Sequence, residues 1–320
     1  MMVAAASCSA ATAPAPCDIL DAALPSALAS ALSAPHVRIQ NRERTASKLA
    51  SMIAGGPDKL LVVSDFDHTM SRAWDERGER CWTTHGVFDN ATKMPEVSRK
   101  CKALSEKYLP IEFDGKLSIA EKIPHMEEWW RLSHDAIVEQ RVTREIVTEL
   151  VRDSNIRLRD GATLLMKNLE AARVPLVMFS AGIGDIISVF LRQRLGAVPS
   201  NMHLISNMMQ FDEKNEVIGF SEPLIHTFNK NGTVIDRKEE AFFHAMRQRD
   251  SVILMGDSMG DLHMDVGVEN HRPEDTLKIA FLNQKPHLLP YYLEGYDIVI
   301  IDDQSMAIPN TIMDAIAKRL

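Results

Sequence analysis

Lys59-Leu60-Leu61-Val62-Val63-Ser64-Asp65-Phe66-Asp67-His68-Thr69-Met70-Ser71 is the stretch on which the fold turns. Apolar residues 60–63, two of them β-branched, run straight into two carboxylates one residue apart. A short apolar run of this kind reads as a strand buried on both faces, as in a parallel sheet. In open α/β sheets, ligands bind beyond the carboxyl ends of the strands. Asp65 and Asp67 are therefore expected on the rim where chemistry sits. Two acids this close repel each other unless a cation joins them. A hard divalent cation with oxygen ligands suits the pair, and Mg2+ is the expected one. Asp is also common in turns, so D-x-D by itself decides little; its downstream partners decide more.

The same strand-then-helix alternation recurs along the chain. Residues 174–179 read as a second buried strand, ending at Ser180-Ala181-Gly182-Ile183-Gly184, with a helix over 185–195. A third strand is expected over 203–208, then a hairpin joining Phe211 to 217–220, and a helix over 237–249. Residues 251–255 form another apolar run, ending at Gly256-Asp257-Ser258-Met259-Gly260-Asp261. Strands over 277–282 and 298–301 follow, each with helical sequence after it. Such alternation predicts an α/β fold with a doubly wound parallel sheet. Residues 71–90, with Arg72, Trp74, Arg77, Arg80 and Trp82, read as a loop leaving that core. Helices over 95–108, 119–139 and 143–153 make the block 88–155 almost wholly helical. The expected organisation is a core of 36–87 and 156–320 with 88–155 inserted as a helical cap. A helix over 42–54 is closed by Gly55-Gly56-Pro57.

Residues 1–35, biased to Ala, Ser and Pro, are expected to be a flexible extension, disordered over the first seventeen. Residues 18–31 could still form an amphipathic helix. Organelle-import peptides are Arg-rich and acid-poor. Here the first Arg is Arg38, and Asp18 and Asp21 precede it. The extension of a cytoplasmic protein is the expectation, with organelle import as the alternative.

Composition narrows the function. The 320 residues are 45% hydrophobic and 25% charged, an ordinary globular balance. With 36 Lys plus Arg against 44 Asp plus Glu, the net charge is −8, which speaks against a general nucleic-acid binder. It does not exclude a phosphorylated small substrate, because the local field governs that. Cys8, Cys17, Cys81 and Cys101 are scattered, with no C-x-x-C to suggest zinc, so reduced thiols in an intracellular monomer are expected. No apolar run reaches the roughly 18 residues of a membrane span.

The string DFDHTMS matches the D-x-D-x-[TV] signature of the haloacid dehalogenase-like phosphohydrolases, and Gly256-Asp257-Ser258-Met259-Gly260-Asp261 resembles their G-D-S-x-x-D motif. That superfamily has a Rossmann-like core and, between its first and second core strands, a helical cap. The resemblance implies that Asp65 is a nucleophile and Asp67 a general acid/base. Ser180, with the backbone of Ala181, would hold the transferring phosphoryl group, a task that a hydroxyl and N–H groups at a helix start perform well. Lys230 would pair with phosphate and nucleophile, with Lys214 and Lys238 as competing candidates. Asp65, Asp67 and Asp257 would bind the metal, and Asp261 would hold a metal-bound water or orient Lys230.

Between residues 40 and 320 the likeness is closer. DFDHTMSR, GERCWTTHGVFDN, EKYLPIE, EEWWRLSH, FSAGIGD, LIHTFNKN and MGDSMGDLHM are similar to segments of the cytosolic pyrimidine 5′-nucleotidase family of type III. That resemblance implies that Glu112 contacts the base and that Ser133 is a further substrate contact. Trp129, Trp130 and His134 could stack on a base or simply pack the cap. The implied activity is Mg2+-dependent hydrolysis of nucleoside 5′-monophosphates, CMP and UMP in the first place and 7-methyl-GMP as a variation, through an aspartyl-phosphate. A nucleoside phosphotransferase using the same intermediate, or a non-catalytic nucleotide-binding protein, are the alternatives.

Overall fold

Alternation along each strand sorts the core into two layers, one on either face of a single sheet. The computed structural model describes residues 16–234, 242, 244, 246–265, 275–283 and 285–318. The expected helix over 237–249 and the N-terminal fifteen residues fall mostly or wholly outside these. The strands are β1 (Val37–Ile39), β2 (Leu60–Ser64), β3 (Leu176–Ile183), β4 (Met202–Asn207), β5 (Met209–Phe211), β6 (Val217–Phe220), β7 (Ser251–Gly256), β8 (Leu277–Leu282) and β9 (Ile298–Ile301). Seven of them form one sheet in the order β1-β9-β8-β7-β2-β3-β4, while β5 and β6 form an antiparallel hairpin. The large sheet is parallel apart from β1, which runs antiparallel to β9 at the edge. A three-residue edge strand carries too little periodicity to be read from sequence, and β1 was not expected.

Leu60 and Val62 point into one layer with Leu176, Met178, Ile253, Met255, Ile279 and Ile300. Leu61 and Val63 point into the other with Val177, Phe179, Val252, Leu254, Ala280 and Val299. This is the period-two consequence of burial on both faces. The first layer is covered by α1 (Pro16–Ala23), α2 (Ser26–Leu32), α3 (Arg42–Gly55), α8 (Ala162–Ala171), α9 (Gly184–Leu195) and the last helix, α11 (Ala307–Ile316). α10 (Leu289–Gly295) covers the second.

Over residues 16–35, α1 and α2 correct the expectation of a flexible extension, and its first fifteen residues lie outside the described ones. Leu20, Leu28 and Leu32 are fully buried and Leu24 nearly so. Leucines at every fourth position make one apolar stripe, which joins the main core next to α3 and α11. The single helix considered over 18–31 is broken at Pro25, the N-cap of α2, because proline has no N–H to continue α1.

Between β2 and α8 come α4 (Gly86–Asp89), α5 (Pro95–Glu112), α6 (Ile119–Glu139) and α7 (Arg144–Asp153). Ser118 and Glu121 start α6 with a capping box. The chain leaves the core and returns through a narrow neck. There Arg72 N–H donates to Arg157 C=O at 2.8 Å, Arg159 N–H donates to Met70 C=O at 3.0 Å, and Ser71 bridges Leu158. Tyr108, Met126 and Trp130 of this helical block pack with Leu224, Ala181 and Phe228 of the core.

Candidate active site

β2 lies where the sheet order reverses, with β3 on one side and β7 on the other. Ser64, the last residue of β2, is in register with Met178 and Met255. The carboxyl ends of three strands therefore open onto one crevice, the switch-point position at which α/β sheets bind ligands.

Asp65 follows β2 directly and is 5% exposed. The Lys230 ammonium donates to its Oδ1 at 2.7 Å and to Asp261 Oδ1 at 2.5 Å. Asp261 Oδ2 accepts from the Asp257 N–H (3.1 Å), the Ser258 N–H (2.9 Å) and the Ser258 hydroxyl (2.9 Å). Asp261 is thus placed on Lys230 and on the loop carrying Asp257. Lys214 is exposed in the β5–β6 turn and Lys238 is outside the described residues; of the three candidates, Lys230 is the one seen to reach the site.

The electrostatics follow from burial. Burial pushes Asp65 up to about 7; the Lys230 charge opposes this, and Asp261 and Asp67 add to it. Burial works against the Lys230 charge, but Asp261 and Asp65 override it and hold the ammonium above its ordinary range. Asp257 is driven well above the carboxylate range by burial and then by the charges of Asp261 and Asp65, while Lys230 and Arg159 pull it down.

Asp67 has a partner that sequence reasoning missed. The Thr84 N–H donates to its Oδ1 at 2.9 Å and the Thr84 hydroxyl to its Oδ2 at 2.6 Å. Burial raises Asp67 to about 6, against both of these hydrogen bonds. The same hydroxyl accepts from the Ile183 N–H at 3.2 Å, tying the segment that leads into α4 to the end of β3. Ser180 is buried, and its hydroxyl accepts from the Gly182 N–H at 3.0 Å. Gly182 is the pivot between them. A Cβ there would come within 1.9 Å of Thr84 Oγ1, 2.9 Å of Asp67 Oδ2 and 3.1 Å of Ser180 Oγ. Nothing larger than hydrogen fits, so the β3 end and Asp67 approach as closely as they do.

Among the described residues no three His, Cys, Asp or Glu side chains are arranged to hold a metal. Asp67, expected among the ligands, accepts from Thr84 at both carboxylate oxygens, and its backbone carbonyl is a further oxygen it could offer. Beside it stand Asp65, buried, and Asp257, half-buried, two carboxylates that repel each other. That donor set does not suit zinc. It does fit Mg2+, which takes one or two carboxylates and completes its shell with water and substrate phosphate.

The loops are fixed from behind. The Tyr292 hydroxyl donates to Asp257 C=O at 2.6 Å, and the Tyr296 hydroxyl donates to Ser258 C=O. Arg159, 1% exposed, donates to Thr69 C=O (2.7 Å), His68 C=O (2.6 Å) and Asn283 Oδ1 (2.6 Å), which holds His68 in a left-handed conformation at φ 59°. Asn207 donates to Ala181 C=O and Ile225 C=O and accepts from the Ile225 N–H, linking the end of β3 to the loop that carries Lys230.

The helical block supplies the other expected residues. Glu112 ends α5 and reaches the core, where its Oε1 accepts from the Thr227 hydroxyl at 2.8 Å. Ser133 is buried on α6 with Trp130 and His134, and among the described residues no hydrogen bond ties it to the carboxylate cluster. The Trp130 indole N–H donates to Ala181 C=O at 2.7 Å. His134 stacks on Phe220 at 3.7 Å, and Trp129 on Tyr108 at 5.8 Å. Trp130 and His134 are therefore packing groups here, and neither presents a free face to a base.

Comparisons with known proteins place the chain in a family. The sequence profile of the pyrimidine 5′-nucleotidase family (UMPH-1) matches residues 68–317. A putative cytosolic 5′-nucleotidase 3 of Caenorhabditis elegans is 48% identical over 290 residues, covering 89% of this chain and 76% of the relative. The human 7-methylguanosine phosphate-specific 5′-nucleotidase is 37% identical over 289 residues, covering 90% and 94%. The crystal structure of cytosolic 5′-nucleotidase IIIB bound to cytidine superposes with a TM-score of 0.79 at 32% identity, covering 91% of this chain and 96% of that one.

Proposed function

This chain belongs to the pyrimidine 5′-nucleotidase family (UMPH-1) and is a 5′-nucleotidase; from that premise we propose that it hydrolyses CMP, UMP or 7-methyl-GMP through an aspartyl-phosphate on Asp65. The observation that carries this is the Asp65–Lys230–Asp261 chain beside Asp67 at the crevice floor. Lys230 holds one Asp65 oxygen, so the other can attack phosphorus in line as the P–O5′ bond breaks. Asp67, half-neutral near its raised pKa, gives its proton to the leaving 5′-oxygen. It then takes a proton from the water that opens the acyl phosphate, and phosphate departs. The Ser180 hydroxyl and the backbone after it face the equatorial oxygens, which gather charge as the bonds change. Bound between Asp65 and Asp257, Mg2+ would neutralise phosphate charge that the two carboxylates repel.

Base recognition is assigned to Glu112. Its carboxylate is half-buried at the block–core boundary and can accept hydrogen bonds from base N–H groups. A relative bound to cytidine supports a pyrimidine nucleoside as ligand; the division proposed is phosphate to core residues and base to the helical block. Phosphate release from CMP, UMP and 7-methyl-GMP, measured with Mg2+ or with excess chelator, tests the reading. Asp65→Asn should cost at least about 10³-fold in kcat while the protein stays folded. A variant within tenfold of the parent would remove Asp65 from the nucleophile role.

A further inference from the structure

Glu112 does not stand alone. Thr227 is the hydrogen-bond donor to its carboxylate among the described residues, and Lys122 Nζ donates to its backbone carbonyl at 2.8 Å. Thr227 belongs to the core, in the loop that carries Lys230. Its own carbonyl lies against Gly260, where a Cβ would come within 2.2 Å of it. The loop is braced on both sides of Thr227. Asn207 clasps Ile225 by its N–H and C=O, the His226 N–H donates to Asn229 Oδ1 at 2.7 Å, and Asn229 Nδ2 donates to Leu224 C=O at 2.8 Å. A hydroxyl on such a loop has a fixed position, whereas a carboxylate on the last residue of a helix has rotamer freedom. Fixing Oε1 therefore fixes where Oε2 points. Burial raises the Glu112 carboxyl above its ordinary range, and the Thr227 hydrogen bond and then the Lys122 charge oppose that rise.

Resting on the base-reading role given to Glu112 above, we propose that Thr227 is a positioning residue for substrate specificity. Its hydroxyl aims the Glu112 carboxylate at the N–H edge of the nucleobase. Selectivity is then set from both sides of the cleft, three residues from the lysine that serves the phosphate. Thr227→Val keeps the β-branched shape and removes only the hydroxyl, and Thr227→Ser keeps the hydroxyl. The readout is the ratio of kcat/KM on CMP and on 7-methyl-GMP to kcat/KM on p-nitrophenyl phosphate, which has no base.

Thr227→Val should lower that ratio by about tenfold, mainly through KM for the nucleotide, because a misaligned acceptor leaves a base donor unpaired. Thr227→Ser should restore it. Adding Thr227→Val to Glu112→Ala should lower the ratio no further than Glu112→Ala alone. If Glu112→Ala lowers the ratio and Thr227→Val does not, Thr227 is idle and the Glu112 reading stands. If Glu112→Ala leaves the ratio unchanged, that reading falls and this inference falls with it. Equal loss on all three substrates with Thr227→Val, not rescued by Ser, would make the residue a brace for the Lys230 loop and overturn the proposal.

Discussion

Thr84 gives Asp67 both of its hydrogen bonds, so the acid/base is oriented by a residue with no charge of its own. Thr84→Val removes the hydroxyl while keeping shape and backbone N–H. We expect kcat to fall by roughly 10–100-fold, since misplacing a proton-transfer group by about 1 Å costs that much. Thermal stabilisation by Mg2+ should be largely kept, because the Asp65 and Asp257 carboxylates have no hydrogen bond from Thr84. A kcat within twofold of the parent would refute this role. His134 makes the second residue-scale case. Its Nε2 is buried without a partner, and burial, followed by the charges of nearby His85 and Arg131, pushes it down to about 2. The folded chain refuses a proton that the unfolded chain accepts near ~6.5. Stability from this site is thus complete above that pH and is lost as pH falls through it. His134→Phe keeps the stack on Phe220 and should stabilise more at pH 5 than at pH 8, with a pH-dependent part of about 2 kcal/mol at pH 5. Equal gains in melting temperature at both pH values would sink the argument. Asp65, Asp67 and Asp257 were legible in the sequence because acids after apolar strands combine two signals in adjacent residues. Thr84 and Gly182 were not, because an uncharged side chain and a missing one acquire meaning only when distant segments meet.

Elements were legible in proportion to how much local pattern they carry. β2, β7, β8 and β9 are continuous apolar runs and were found close to their observed ends, whereas β3, expected over 174–179, begins at Leu176 and runs on through Ser180-Ala181-Gly182 to Ile183. β1 has three residues and borrows its order from β9. α1 and α2 were obscured by composition, since Ala, Ser and Pro suggest disorder when counted, while the leucine spacing suggests a helix when ordered. The spacing prevails, because Leu20, Leu28 and Leu32 lose all solvent contact against the core. Leu28→Ala should therefore cost about 2–5 kcal/mol by urea denaturation, the range for emptying a buried leucine site. A cost under about 0.5 kcal/mol, usual for exposed positions, would return this segment to a flexible extension.

At the scale of the whole molecule, the crevice gathers Asp65, Asp257 and Asp261 around a single lysine, an arrangement that favours any cation able to join them. Mg2+ binding to the folded chain alone should raise its melting temperature, by an amount equivalent to about 2.7 kcal/mol at a hundred times the dissociation constant. Asp257→Asn should abolish most of that rise, measured by calorimetry without substrate. An undiminished rise in Asp257→Asn would place the metal elsewhere. The neck formed by Ser71–Leu158 and Arg72–Arg157 has a different consequence. To the sheet, everything from residue 73 to 156 is one loop whose ends lie a hydrogen bond apart. The entropy of closing such a loop grows only logarithmically with its length. A longer, shorter or unrelated insert could be spliced at the same two points without changing the register of any of the seven strands. Heredity can thus treat the helical block as an exchangeable cassette. The surface facing the nucleoside can be rewritten while Asp65 and Asp257 stay where the strands put them, provided the Thr84 segment that orients Asp67 is kept.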